Sequence, residues 1–361
     1  MRTAGKPSPR ALERAGARRR AAATERARPR VRALLAECAA LAPRDARRAL
    51  AMAVEAERLA RLSGVDDQLA EVWYWQGRCG LACRRLDEGM QFLQRALREA
   101  QRRNDRPLAL RALQLIAREH LADGRFTLAR TAMRRAAIWA RTSADPLARA
   151  QWRELSGLAF LQTGRIAAAE RAFRLALELT RRAGVPDFEL QIQNDLGMTA
   201  DRKGRHAEAL AHYREAQAIC AAGGFRRYEE LLMLNAADSL MLLGRLDEAY
   251  DELRRALAAA RKSGNRRSES QAHTQAAELL PRMHQARVGL RHARRAILLC
   301  KAGREARMEA AARLAAIRIH LELGDRPRAA AECAAAHQLI VRERIAEFRP
   351  ELETLEARLG A

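Results

Sequence analysis

The chain has 361 residues and carries 67 basic against 44 acidic side chains, a net charge of +23. Hydrophobic residues make up 48% of it but aromatics only 4%, and strand-forming runs of Val, Ile and Thr are missing, so the fold class is all-α, packed from Ala and Leu. There is no apolar run of the length that crosses a bilayer and no secretory signal pattern.

Residues 1–28 are basic and nearly free of large apolar side chains, and read as a disordered tail able to touch an acidic surface. From Arg30 the chain becomes periodic. Gly124, Gly164, Gly204, Gly244 and Gly324 are spaced by 40 residues or twice that, with Arg44, Arg84 and His284 at the remaining steps. Five residues on comes a small residue each time: Ala49, Gly89, Ala129, Ala169, Ala209, Ala249, Gly289 and Ala329. Seven further come Ala56, Ala96, Ala136, Ala176, Ala216, Ala256, Ala296 and Ala336. Antiparallel helices that pack about 8–10 Å apart need small side chains where they cross. Leu93, Met133, Phe173, Tyr213 and Leu253 fill the space between. Gly64, Asn104, Gly184, Gly224 and Gly264 sit where one helix pair hands over to the next; Gly or Asn there accepts the left-handed conformation that closes a helix. The last predicted helix runs on through Ile340, and Glu347–Leu359 reads as a short charged helix that caps an apolar end.

Trp73, Gly77, Leu86, Gly89, Phe92 and Ala96, and again Leu196-Gly197, Gly204, Ala209, Tyr213 and Ala216, carry a family resemblance. The chain resembles tetratricopeptide repeat proteins, whose usual unit is about 34 residues, in a longer variety such as that of kinesin light chains, bacterial peptide receptors and sensor arms of bacterial activators. The resemblance covers about residues 30 to 343. It implies a right-handed α-solenoid superhelix of about eight antiparallel helix pairs, with a solenoid over 29–343 and a capping helix over 344–361. It further implies that the first helix of each pair lines a concave groove, where the family pattern places Tyr74, Arg78, Arg111, Gln114, Arg118, Gln151, Glu154, Gln191, Asn194, Asp238 and Gln271. Amides both donate and accept, which suits a peptide backbone. Arg78, Arg111 and Arg118 suit a carboxylate or acidic side chains. Tyr74 reads as exposed, with Trp73 and Trp75 packed on adjoining helices. The Lys-x-x-x-Asn element of the chaperone-gripping carboxylate clamp is missing.

Nothing in the sequence assembles a catalytic constellation. There is no phosphate loop, no nucleophile elbow and no His-Glu-x-x-His, and the eight histidines are scattered. The cysteines Cys38, Cys79, Cys83, Cys220, Cys300 and Cys333 follow no zinc or redox spacing and read as small core residues in a reducing cytoplasm; no metal or cofactor is called for. Of the 67 basic residues only Lys6, Lys203, Lys262 and Lys301 are Lys. That excess of Arg reads as solvated helix faces in a GC-rich coding style, with nucleic-acid attraction as the alternative. The expectation is a non-enzymatic bacterial scaffold or adaptor that holds a peptide or partner protein. The second reading is a ligand-responsive sensor controlling a separate effector, and the third is nucleic-acid binding.

Overall fold

A computed structural model describes residues 9–122 and 124–360. Among them are seventeen α-helices, three short 3-10 turns and no strands. Packing divides the chain into two compact units, Met1–Phe188 and Glu189–Ala361. In the first unit the helices are α1 (Pro9–Leu41), α2 (Ala46–Ser63), α3 (Leu69–Ala82), α4 (Leu86–Arg102), α5 (Arg106–Ala122), α6 (Phe126–Thr142), α7 (Pro146–Gln162) and α8 (Ile166–Ala183). Helix α9 (Pro186–Asp201) begins at the boundary. The second unit continues with α10 (His206–Gly223), α11 (Glu229–Leu242), α12 (Leu246–Ser263), α13 (Arg266–Arg282), α14 (Ala286–Gly303), α15 (Ala306–Glu322), α16 (Arg326–Arg342) and α17 (Arg349–Gly360).

The helices begin and end for local reasons. Asp45, Asp145 and Asp325 accept hydrogen bonds from the backbone N–H groups of Arg48, Leu147 and Arg328, at 3.0, 2.9 and 3.2 Å, satisfying donors that a helix start leaves orphaned. Gly64, Gly184, Gly224 and Gly264 close α2, α8, α10 and α12 in the left-handed region. Arg84, Asn104, His284, Arg304 and Arg344 also turn there, with φ of 63°, 57°, 59°, 54° and 56°, though none is glycine.

Successive helices pack as antiparallel partners: α1 with α2, α3 with α4, α5 with α6, α7 with α8, and α11 with α12 through α15 with α16. The small residues mark the crossings. Ala56, Ala96, Ala136, Ala176, Ala216, Ala256, Ala296 and Ala336 are all 0% exposed. At Gly157 an added Cβ would lie 2.5 Å from the Phe173 ring, and at Gly197 2.4 Å from the Tyr213 ring. The backbones approach that closely because a ring from the opposite helix sits where a side chain would be.

The expected tail differs from the structure. Residues 1–8 lie outside the described residues, but helix α1 runs from Pro9, through the stretch expected to be disordered. Ala27, Val31, Leu35 and Cys38 recur at helical spacing and are buried against the alanines of α2. That alanine-width stripe explains why a reading based on large apolar residues passes over its beginning. Thr24 donates to the Ser63 carbonyl at 2.6 Å and Arg28 pairs with Asp67, tying the same stretch to the end of α2 and the turn beyond it. At the other end Leu352 and Leu355 of α17 are buried with Leu314, Leu339 and Ile340 of α15 and α16.

Candidate functional site

Within each unit the odd-numbered helices also touch one another: α1 with α3, α3 with α5 and α5 with α7, then α11 with α13 and α13 with α15. They form the inner layer, and the expected groove residues lie on them.

In the first unit these residues are largely engaged with each other. Tyr74 is buried, which corrects the expectation that it is exposed. Its ring packs edge-on against Trp75 at 5.3 Å, and the Arg111 guanidinium lies 4.8 Å from its centroid. Arg111 also faces Glu71 at 3.9 Å. Arg78 lies over Trp75 at 5.2 Å and reaches Asp187 at 3.7 Å. Trp73 donates to Glu57 of α2 at 3.1 Å and so packs on the adjoining helix, while Trp75 is buried. Gln114 donates to the Ala148 carbonyl of α7 at 3.0 Å. Arg118 donates to Glu154 at 2.8 Å. Glu154 is buried, and burial pushes its carboxyl upward against the pull of Arg118. Gln151 is half-buried and, among the described residues, makes no side-chain hydrogen bond.

In the second unit Asn194 is buried and accepts from Asn235 of α11 at 2.7 Å. Gln114 and Asn194 therefore bond to neighbouring helices of the protein itself, where the family pattern expects them to face a peptide backbone. Gln191 is half-buried. Gln271 is half-buried and, among the described residues, makes no side-chain hydrogen bond. Asp238 is held up to about 7 by burial and by the charges of Glu278 and Asp201, with a Gln275 hydrogen bond pulling the other way. Burial likewise raises Glu278, which lies 3.4 Å from Arg318.

Asp201 is a residue the sequence reading passed over. Tyr213 donates to it at 3.1 Å, Ser239 at 2.8 Å, and the His206 ring nitrogen lies 2.9 Å away. Its partners come from α10 and α11, and no local spacing signals the cluster. Among the described residues no group of His, Cys, Asp and Glu is arranged to hold a metal ion. No helix there is long and apolar enough to cross a membrane.

Residues 147–222 match the family model described as tetratricopeptide repeat. No curated protein sequence matches the chain. Among solved structures, the apo form of RapI is similar with a TM-score of 0.63 at 9% identity, covering 82% of each chain. A Rap protein complexed with competence and sporulation factor is similar with a TM-score of 0.61 at 14% identity, covering 92% of this chain and 99% of that one. A signal-transduction ATPase with a tetratricopeptide repeat sensor, from Pyrococcus horikoshii, gives a TM-score of 0.62 at 14% identity over 88% of this chain. This chain spans about half (48%) of that ATPase's length. At these identities the likeness is one of fold: the chain shares the paired-helix fold of these proteins, and residues 147–222 within it match the tetratricopeptide repeat.

Proposed function

We propose that the chain is a non-enzymatic interaction module that holds a peptide or partner segment along the inner helices of its units. The observation that carries this reading is the state of the inner amides. Gln151 in one unit and Gln271 in the other are half-buried, and among the described residues neither makes a side-chain hydrogen bond. A half-buried amide with both its donor and its acceptor free suits an extended backbone, which offers the complementary pair at each residue. The similar Rap structure is named as a complex with competence and sporulation factor, which supports the reading by analogy of fold. All six cysteines are free thiols, in keeping with a bacterial cytoplasmic setting.

The test is selection of peptides on the full chain from a displayed random library. Peptides held by the inner faces should lose about fivefold or more in affinity on Gln151→Ala or Gln271→Ala, the loss of one or two hydrogen bonds, while helical circular dichroism is unchanged. Binding that ignores both substitutions would reject the inner faces as the site. A sensor reading is favoured by the likeness to the ATPase's repeat sensor. It requires in addition that the bound peptide change the particle's small-angle scattering, whereas a passive adaptor keeps one profile.

A further inference from the structure

The joint between α6 and α7 is unlike the other joints between helix pairs. Those at 64, 104, 184, 224, 264 and 304 turn through a left-handed residue. Here the corresponding position is Ala144, which does not adopt positive φ. The chain leaves α6 through extended Ser143, at φ −66° and ψ 131°, and enters α7 through Asp145, with Pro146 in its first turn. In consequence α6 and α7 touch at far fewer places than α2 with α3 or α4 with α5. Between the two helices lies a cleft of about 590 Å³, and a second of about 570 Å³ that shares Met133, Arg141, Trp152 and Ala159 as lining residues reaches Ala172 of α8. These volumes lie in the range of sites that enclose ligands or large side chains.

The floor of the cleft is apolar, with Met133, Trp152 and Ala159 common to both parts. The rim is basic. Arg130, Arg134 and Arg141 of α6 and Arg149 and Arg153 of α7 line it, and all five are exposed. Among the described residues none of the five is paired with a carboxylate, although exposed arginines elsewhere on the chain are, as Arg102 is with Glu99 and Arg245 with Glu248. Helix α6 contains no acidic residue at all. The carboxylates of α7 and its cap are committed: Asp145 accepts from the Leu147 backbone and Glu154 is buried with Arg118. A cluster of uncompensated guanidinium groups around an apolar floor is complementary to one chemistry, an anion that carries a bulky apolar group.

We infer that this cleft is a second binding site, separate from the inner faces, and that it takes an acidic peptide segment of a partner protein whose Leu- or Phe-sized side chain enters between α6 and α7. The rim arginines take the flanking carboxylates, by the forked geometry that guanidinium and carboxylate share. The apolar floor sets the site apart from a nucleic-acid surface, where the phosphate contacts themselves carry the affinity.

The experiment uses the full chain and a fluorescein-labelled peptide in which Leu and Phe alternate with Glu, read by anisotropy. The controls are its Gln-for-Glu counterpart, an all-Glu peptide and a single-stranded oligonucleotide as competitor. Arg134→Glu and Arg141→Glu should each weaken the acidic apolar peptide by about tenfold or more. Arg287→Glu, the same charge change on an exposed arginine of α14, should leave it nearly unchanged. Ala159→Trp, which fills the floor, should weaken the acidic apolar peptide and spare the all-Glu one. Gln151→Ala should have no effect, which separates this site from the inner faces. Equal loss from Arg287→Glu, equal affinity for the Gln counterpart, or full displacement by the oligonucleotide would each overturn the assignment. The rim variants lie on exposed positions and keep the test decisive if Ala159→Trp does not fold.

Discussion

Gly197→Ala tests the packing rule on which the whole array rests. A methyl at Gly197 would stand 2.4, 2.7 and 2.8 Å from three carbons of the Tyr213 ring, well inside the roughly 3.5–4.0 Å of a favourable carbon contact. The ring has little freedom to yield, since it is 1% exposed and its hydroxyl is held by Asp201 at 3.1 Å. Replacing a mid-helix glycine by alanine gains about 1 kcal/mol of helix propensity. Overpacking against a fixed ring costs about 1–3 kcal/mol, here toward the upper end. The net expectation is a loss of about 2 kcal/mol, which lowers the melting temperature of a unit this size by about 4–8 °C. Gly289 is the internal control. Its nearest neighbours would be Pro281 Cδ at 3.2 Å and the Ala277 carbonyl at 3.4 Å, so Gly289→Ala should be neutral or stabilising by up to about 1 kcal/mol. Thermal unfolding followed by circular dichroism reads both. In a Tyr213→Leu background, Gly197→Ala should become less costly, because the smaller side chain vacates the space. A Gly197→Ala protein that melts at or above the parent, or a Tyr213→Leu background that relieves nothing, would refute the close-approach account.

Three further outcomes follow from buried charge. Asp238 keeps its proton up to about 7 when folded and releases it near 3.9 when unfolded. The native state therefore binds the extra proton between those values, and stability falls as pH rises through them, by at most about 4 kcal/mol. Asp238→Asn should raise the melting temperature at pH 8 and change it little at pH 4. His273 has the opposite sign: burial and the neighbouring His292, Arg261 and Arg295 hold it down to about 3. Its contribution is complete above about 6.5 and is lost as pH falls toward 3, so His273→Gln should flatten that acid limb of the melting profile. Arg118→Met strands the buried Glu154, at a cost of about 3–5 kcal/mol at neutral pH. Glu154→Gln leaves only a partly exposed arginine and should cost less, about 1–3 kcal/mol. The Arg118→Met deficit should shrink toward pH 4 as Glu154 protonates, and equal deficits at both pH values would contradict the pairing.

The fold was legible where one local steric rule decides an outcome. Ala56 through Ala336 announce crossings because no larger residue fits, and Gly184 or Gly224 announce helix ends because few residues take that backbone. The candidate site was legible only in part, because its polar groups are decided by partners in the next helix pair. Gln114 looks like a spare amide until the Ala148 carbonyl is found beside it, 34 residues on. Asn194 looks equally spare until Asn235 arrives from 41 residues on. The raised Asp238 depends on Asp201 and Glu278, from the helices on either side. The cleft beside α6 had a signal that went unread, the absence of a left-handed residue at Ala144. Periodicity directs attention to what recurs, and this feature is an omission.

Four of the five non-glycine corners say which part of the chain leads. At Arg84, His284, Arg304 and Arg344 a side chain is held in a backbone region that costs most L-residues about 1–2 kcal/mol, whereas Asn104 accepts it readily. The chain tolerates this because the rods on either side dictate the bend and the hinge residue merely follows. Such positions are reserves of unspent thermostability: the architecture is already set without them, and a residue that enters the bend willingly would leave every neighbouring contact where it is.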